Sequence, residues 1–166
     1  MNQFAVAVCY AIQEARTAKS AVRATCFMKS PGEDAGDAKQ GALDYIRGQE
    51  AEAQKDQGVT ARNASDIKDK SLDDFGRALH TVTDGTSPAH VDESGNPRDW
   101  SGLPTSPEDA EAVAEHISEE ATISPQQMDI AVQAAQDAFG KTYGQQALQQ
   151  AEKAPKQDQP TQDQQK

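Results

Sequence analysis

Apolar residues in the first part of the chain recur every three or four positions, which is the spacing of one helical face. They predict a helix over residues 3–28, ended by Ser30-Pro31-Gly32. We interpret the apolar face as core-facing. Because basic side chains accompany it, a helix lying on a membrane surface is the alternative. The apolar positions are Phe4, Val8, Ala11, Ile12, Ala15, Ala18, Val22 and Cys26.

The chain has two cysteines, Cys9 and Cys26, and both lie on this predicted helix. Seventeen positions along one helix are too far for a disulfide, unless the helix breaks. Two cysteines cannot form a metal site by themselves. We therefore interpret both as small buried residues.

The same periodicity predicts two helices in the next part of the chain. The first spans residues 37–57 and is followed by a polar loop over 59–70. The second begins at Ser71, which we interpret as an N-cap because Asp74 follows three residues later. Gly85 ends this helix.

Two further helices begin with a Ser-Pro pair, in which serine caps the helix and proline takes its first position. One starts at Ser106 and runs to about residue 121. The other starts at Ser124 and ends near Phe139, with Gly140 as the residue after the helix. Between the third and fourth helices, a long irregular loop is expected over residues 91–105.

The composition supports a helical fold. Leu, Ile, Val and Phe together number 23 of 166 residues, a share below the ~20% at which disorder becomes a strong expectation. Alanine supplies much of the 36% hydrophobic content, and aromatic residues make up 5%, which disfavours a large β-sandwich. The sequence predicts an all-α, single-domain bundle of about five helices over residues 1–150. The polar tail, 151–166, is expected to be disordered.

Charge and hydropathy exclude several kinds of protein. The net charge of −11 leaves no basic surface for a phosphate backbone, so we expect no nucleic-acid partner. No apolar run approaches the ~20 residues of a membrane span. The first residues lack the basic region of a signal peptide, so neither a signal peptide nor a transmembrane segment is predicted.

The three histidines occur in a pattern that suggests metal binding. His80 precedes Asp84 by four positions, and His116 precedes Glu120 by four. Side chains at this spacing lie on one face of a helix, so each pair directs an imidazole and a carboxylate to one point. The third histidine, His90, follows a proline turn. Imidazole and carboxylate are zinc ligands, so we predict zinc at these five residues.

A simpler interpretation is coincidence. A surface histidine with an acidic residue four positions later is common in an acidic chain. The use of every histidine of the chain in one pattern favours the metal interpretation.

The segment from Phe75 to His90, followed by His116 to Glu120, resembles the central motif of the bacterial zinc-dependent phospholipase C family, which is related to the P1/S1 nucleases. The resemblance implies an all-α zinc-dependent phospholipase C-like domain over residues 1–150 with up to three zinc ions. It assigns His90, His116 and Glu120 to one ion. It assigns His80 and Asp84 to another, with Asp84 also able to bridge to a third.

The resemblance covers residues 72–120, under a third of the chain. The loop between the second and third histidines is longer than in the family. The family's upstream ligands and its N-terminal tryptophan have no counterpart. His90, His116 and Glu120 would then form a complete three-ligand site with an open position. The His80 and Asp84 site needs another ligand, for which Asp44 and Glu50 are candidates.

These observations predict a metal-dependent phosphodiester hydrolase that acts on a phospholipid head group or another phosphodiester. A weaker similarity to the C-terminal effector domains of Rhs and polymorphic-toxin proteins implies a secreted bacterial toxin domain. Such a domain would be delivered by a specialised secretion system, would make transient contact with a membrane surface and would have a cognate immunity protein.

Two alternatives remain open. One is a degenerate domain that keeps a single zinc ion for a structural or partner-binding role, since metal binding contributes folding free energy in a small domain. The other is a helical interaction module without a metal. Metal content distinguishes the metal-free interaction module from the other two interpretations. Chelator-sensitive turnover distinguishes the hydrolase from the degenerate domain.

Overall fold

The computed structural model describes residues 26–100 and 106–153, and within these ranges the protein is all-α. This confirms the predicted all-α, single-domain fold class, and four of the five described helices correspond to predicted ones. Most of the predicted first helix and of the predicted tail lie outside the described residues. The helices are α1 (Ala35–Gln57), α2 (Asp69–Asp84), α3 (Pro107–Ala121), α4 (Pro125–Tyr143) and α5 (Gln145–Lys153), with a 3₁₀ turn at Ala64–Asp66.

The end of the predicted first helix is wrong, because residues 26–28 form a turn and not a helix. Phe27 has a left-handed backbone with φ 48°, which an α-helix does not accept. Its side chain is buried against Gly85, where a Cβ atom would come within 3.2 Å of the ring. Burial of the Phe27 ring therefore fixes the chain in this conformation.

Helix α1 agrees with its prediction to within two residues. The side chain of Asp34 caps it by accepting hydrogen bonds from the backbone N–H groups of Gly36 and Asp37. Gly58 ends it in the left-handed conformation, with φ 72°, as glycine does at many helix ends.

The predicted N-cap of α2 is wrong. The helix begins at Asp69, and Ser71 lies within it, fully buried. The Ser71 hydroxyl donates to the carbonyl of Ala53 at 2.6 Å and lies 3.0 Å from the hydroxyl of Tyr143. A buried side-chain hydroxyl needs such partners, so the serine joins α1, α2 and α4 and does not cap a helix.

Helix α4 begins as predicted and ends later. Ser124 and Gln127 form a reciprocal capping box. The helix passes Gly140 and ends at Tyr143, with Gly144 (φ 96°) after it. Gly140 is buried where α5 folds back, since a Cβ atom there would lie 3.3 Å from Leu148 Cδ2. The predicted helix end at Gly140 is therefore wrong, and α5, which was not predicted, includes the first three residues of the predicted tail.

The hydrophobic core lies between α1, α2, α4 and α5. The rings of Phe75, Phe139 and Tyr143 contact one another edge-on or tilted, with centroids 5.0 to 5.7 Å apart. Alanines fill most of the remaining space, which lets the helices approach closely. The buried members are Ala53, Ala61, Ile67, Phe75, Ala138, Tyr143 and Ala147.

Helix α3 stands apart from this core, since none of its described side chains is buried. It is joined to the bundle by the irregular segment over residues 85–100, of which residues 91–100 belong to the loop predicted over 91–105. Two isolated bridges, between Lys29 and Asp99 and between Val91 and Pro97, organise this segment. None of the described helices is long and apolar enough to cross a bilayer.

Candidate metal centre

The three histidines converge where α2, the segment after it and α3 meet. Their ligand atoms form two groups of three with those of neighbouring residues, and within each group all atoms lie within 4.8 Å of one another. We call them the His90 group (His90, His116 and Glu120) and the His80 group (Cys26, His80 and Asp84).

In the His90 group, two imidazole rings direct their Nε2 atoms at one carboxylate oxygen. Glu120 Oε1 lies 2.8 Å from His90 Nε2 and 3.4 Å from His116 Nε2. Ligands about 2.0 to 2.1 Å from a tetrahedral zinc ion are separated by roughly 3.3 Å. Both separations are within about 0.5 Å of this value, so the group could hold a metal ion.

The other nitrogen of each ring faces a backbone carbonyl. His90 Nδ1 is 2.7 Å from the carbonyl oxygen of Cys26, and His116 Nδ1 is 3.3 Å from that of Ala89. Since a carbonyl only accepts, each Nδ1 must carry a proton. In the neutral rings, the lone pair is then on Nε2, which points toward Glu120. Metal-binding histidines are oriented by this kind of hydrogen bond.

The charges of the His90 group stabilise one another. Hydrogen bonds from His116 and His90 hold the pKa of Glu120 well below its usual range. Burial disfavours a charge on His90, but the Glu120 hydrogen bond, Asp84 and the Cys26 carbonyl together outweigh it and raise the pKa of His90. A cation bound at this group would compete with a proton for His90 Nε2.

The His80 group contains a buried carboxylate oxygen with no hydrogen-bond partner in the described part of the chain. This is Oδ2 of Asp84, 3.3 Å from His80 Nε2. Burial raises the pKa of Asp84 to about 7, and it lowers the pKa of His80. Cys26 Sγ lies 3.9 Å from His80 Nε2. A neutral imidazole, a thiol and an unsatisfied carboxylate oxygen are suitable ligands for a cation.

The two groups are neighbours. Asp84 Oδ2 is 3.7 Å from His90 Nδ1, and that same nitrogen donates to the Cys26 carbonyl. The turn after α2 brings His90 back to Asp84, because Ser87 N–H donates to the Asp84 carbonyl and His90 N–H donates to the Ser87 carbonyl. Pro88 lies within this turn, as the sequence analysis expected.

A small cavity opens beside the His90 group. Its volume is about 140 Å³, and its lining includes His116, Trp100, Arg98 and Glu119. The rings of Trp100 and His116 contact each other at a tilt of 43°, with centroids 4.7 Å apart, and Arg98 forms an ion pair with Glu119 at 3.2 Å. A larger cavity, of about 390 Å³, lies at the end of α1 against the α4–α5 junction and contains no histidine or carboxylate.

The structure brings together all five residues that the sequence analysis selected, namely His80, Asp84, His90, His116 and Glu120. The two additional candidates are in neither group. Asp44 is exposed and pairs with Arg47, and Glu50 is buried beside Lys141.

Cys26 supplies the third ligand atom of the His80 group, the role for which Asp44 and Glu50 were candidates. From the sequence, Cys26 was interpreted as a small buried residue. It is partly exposed and lies 54 positions from His80, so no spacing pattern could have indicated it.

The chain matches no family model, no curated protein and no solved structure. The resemblance to the phospholipase C family therefore stays a prediction, and the function must be inferred from the geometry of the two groups.

Proposed function

We propose that the chain is a zinc-dependent phosphodiester hydrolase whose catalytic ion binds at the His90 group. The observation that supports this most is the pair of imidazole Nε2 atoms facing one carboxylate oxygen, with each ring held by a backbone carbonyl. Three protein ligands are the usual number in catalytic zinc sites, which leave a fourth position open.

The exposure of the group supports a catalytic role. His90 is almost fully buried, whereas the side chain of Glu120 is 39% exposed and His116 lines the cavity. A substrate can therefore approach from the side of Glu120 and His116. The chemistry that a bound zinc ion supplies is activation of water and neutralisation of charge on phosphoryl oxygens.

The cavity favours a small phosphodiester. Its volume of about 140 Å³ is below the ~300 Å³ of ordinary ligand pockets, so it accommodates a head group and not a whole lipid. Arg98 is 41% exposed at its edge, and a guanidinium pairs well with phosphate. The overall charge of −11 disfavours a nucleic acid, so we infer that a phospholipid head group is the substrate.

The experiment that tests this proposal uses the purified full chain. We expect near-stoichiometric zinc and hydrolysis of phosphatidylcholine vesicles, with turnover lost after chelation and restored by zinc. His116→Ala should lose both the ion and the turnover. Gln133→Ala, which removes an exposed side chain on α4, is the control and should keep both. Turnover that survives chelation in the His116→Ala variant would refute the proposal.

The effector role depends on the weaker resemblance and is a further part of this proposal. Expression of the chain in bacteria should be toxic, and His90→Ala should remove the toxicity. A cognate immunity protein and delivery by a specialised secretion system would follow from that result. Equal growth of cells that express the wild type and the variant at equal levels would contradict the effector role.

A structural zinc site is the second candidate function, and one observation favours it. Helix α3 has no buried side chain among those described, and its contacts with the segment after α2 include those of Glu120 with His90 and of His116 with Ala89. A metal ion at the His90 group would hold α3 in place. A protein that binds zinc and gains thermal stability from it, but hydrolyses no phosphodiester, would support this candidate.

A further inference from the structure

The His80 group has three different ligand atoms in reach of one point: a thiol, an imidazole nitrogen and a carboxylate oxygen. We propose that it is a second metal site in which the thiolate of Cys26 completes the set that His80 and Asp84 begin. The ligand is a thiophilic divalent cation, with zinc as the physiological ion. This proposal does not depend on hydrolysis, because it concerns residues outside the proposed catalytic group.

The separations between the three atoms fit a single ion. His80 Nε2 is 3.3 Å from Asp84 Oδ2 and 3.9 Å from Cys26 Sγ. Zinc–sulfur bonds are about 2.3 Å long, so a sulfur ligand lies farther from its neighbours than nitrogen or oxygen does. The longer distance to Cys26 therefore agrees with the identity of its atom.

The carboxylate of Asp84 is the observation that most clearly indicates a ligand. It is nine-tenths buried, and its Oδ2 atom accepts no hydrogen bond from the described residues. A buried carboxylate oxygen without a partner is costly. A cation between Asp84, His80 and Cys26 removes this cost.

The backbone holds Cys26 at the site. Its carbonyl accepts the hydrogen bond from His90, and Phe27 is buried against Gly85. Two residues further on, Lys29 exchanges backbone hydrogen bonds with Arg98 and Trp100 at 3.0 and 2.8 Å. Because the chain is fixed on both sides of Phe27, the thiol of Cys26 stays close to His80.

The ligand types select the metal. A thiolate and an imidazole favour zinc over magnesium or calcium, which prefer oxygen ligands. On binding, the Cys26 thiol loses its proton to solvent, since the thiolate is the form that coordinates. Imidazole and carboxylate complete a three-ligand site.

The test uses Co²⁺ as the probe in the full chain, after removal of other metals under reducing conditions. A cysteine thiolate bound to Co²⁺ gives a near-ultraviolet charge-transfer band, whereas histidine and carboxylate ligands give none. We expect the band in the wild type and two ions per chain. Cys26→Ser should lose the band and bind one ion. His116→Ala should keep the band and lose the other ion.

Cys9→Ser is the matched control, because it removes the other cysteine of the chain. It should keep the band. If Cys26→Ser does not fold by circular dichroism, His80→Gln replaces it and should weaken the band while both thiols remain. A band that persists in Cys26→Ser, that disappears in Cys9→Ser, or that is absent from the wild type would overturn the proposal. Loss of phosphodiester hydrolysis alone would leave it intact.

Discussion

Replacement of Asp84 by asparagine should stabilise the metal-free protein at alkaline pH. Burial raises the pKa of the Asp84 carboxyl from 3.8 to about 7, with the charge of Glu120 adding to this effect and that of His90 opposing it. The difference corresponds to about 4 kcal/mol of unfavourable free energy when the carboxylate is ionised in the folded state. Asparagine has nearly the same shape and carries no charge, so about 4 kcal/mol is the upper limit of the gain.

The sign of the pH dependence follows from proton binding. Between about pH 4 and pH 7, the folded state keeps the Asp84 proton and the unfolded state has lost it. Stability therefore falls as the pH rises through this window, and the cost is fully present above it. At pH 4 the carboxyl is about half ionised in the unfolded state, so the wild type and Asp84→Asn should differ by only about 0.5 kcal/mol there and by less at lower pH.

Urea unfolding in the presence of a chelator measures this effect. The midpoints of Asp84→Asn and the wild type should nearly coincide near pH 4 and separate at pH 8, with the variant more stable. Asp137→Asn, an exposed carboxylate on α4, is the control and should change stability by less than about 0.5 kcal/mol at either pH. A variant less stable than the wild type at pH 8 in chelator would show that burial of the charge is not costly.

Zinc should narrow this difference. The wild type gains the free energy of binding at the His80 group, about 2.7 kcal/mol when free zinc is 100 times the dissociation constant. Asp84→Asn lacks the buried carboxylate ligand and gains less there. The same urea titrations with added zinc test this, and an equal gain in both proteins would contradict a role of Asp84 in metal binding.

Three further predictions concern the core, a helix end and the site. Ser71→Ala should cost about 1 to 3 kcal/mol in urea unfolding, because it removes a buried hydroxyl that pairs with Ala53 and Tyr143. Ser124→Ala should cost about 1 kcal/mol in the same assay through loss of the capping box, and no loss would show that α4 does not need it. Trp100, the only tryptophan, contacts the His116 ring, so its fluorescence should change on addition of Co²⁺ in the wild type and not in His116→Ala.

The sequence predicts those features of the fold that depend on neighbours along the chain. Periodic apolar positions and end signals locate α1 and the starts of α3 and α4 to within two residues. The same reasoning places the His80–Asp84 and His116–Glu120 pairs on helices, because a spacing of four positions is a local property. These pairs are the part of the site that local spacing determines.

Tertiary contacts decide the features that the sequence analysis missed. Ser71 has the sequence of an N-cap, but its position between α1 and α4 makes it an interhelical hydrogen-bond donor. Gly140 has the sequence of a helix end, but it is the point at which α5 packs on α4. Cys26 reaches His80 only because Phe27 turns the chain, and nothing in the spacing of residues encodes that turn.

The position of the two metal groups within the fold links binding to stability. Both lie where α2 meets two segments that are not part of the core cluster between α1, α2, α4 and α5, namely residues 26–28 and α3. His90 contacts both of these segments, since its Nδ1 donates to the Cys26 carbonyl and its Nε2 faces Glu120 on α3. An ion at the His90 group would bind Nε2 and would leave Nδ1–H as a donor to Cys26. It would then hold α3 directly and orient the segment that supplies the Cys26 thiol to the other group, so occupancy of one group should favour occupancy of the other.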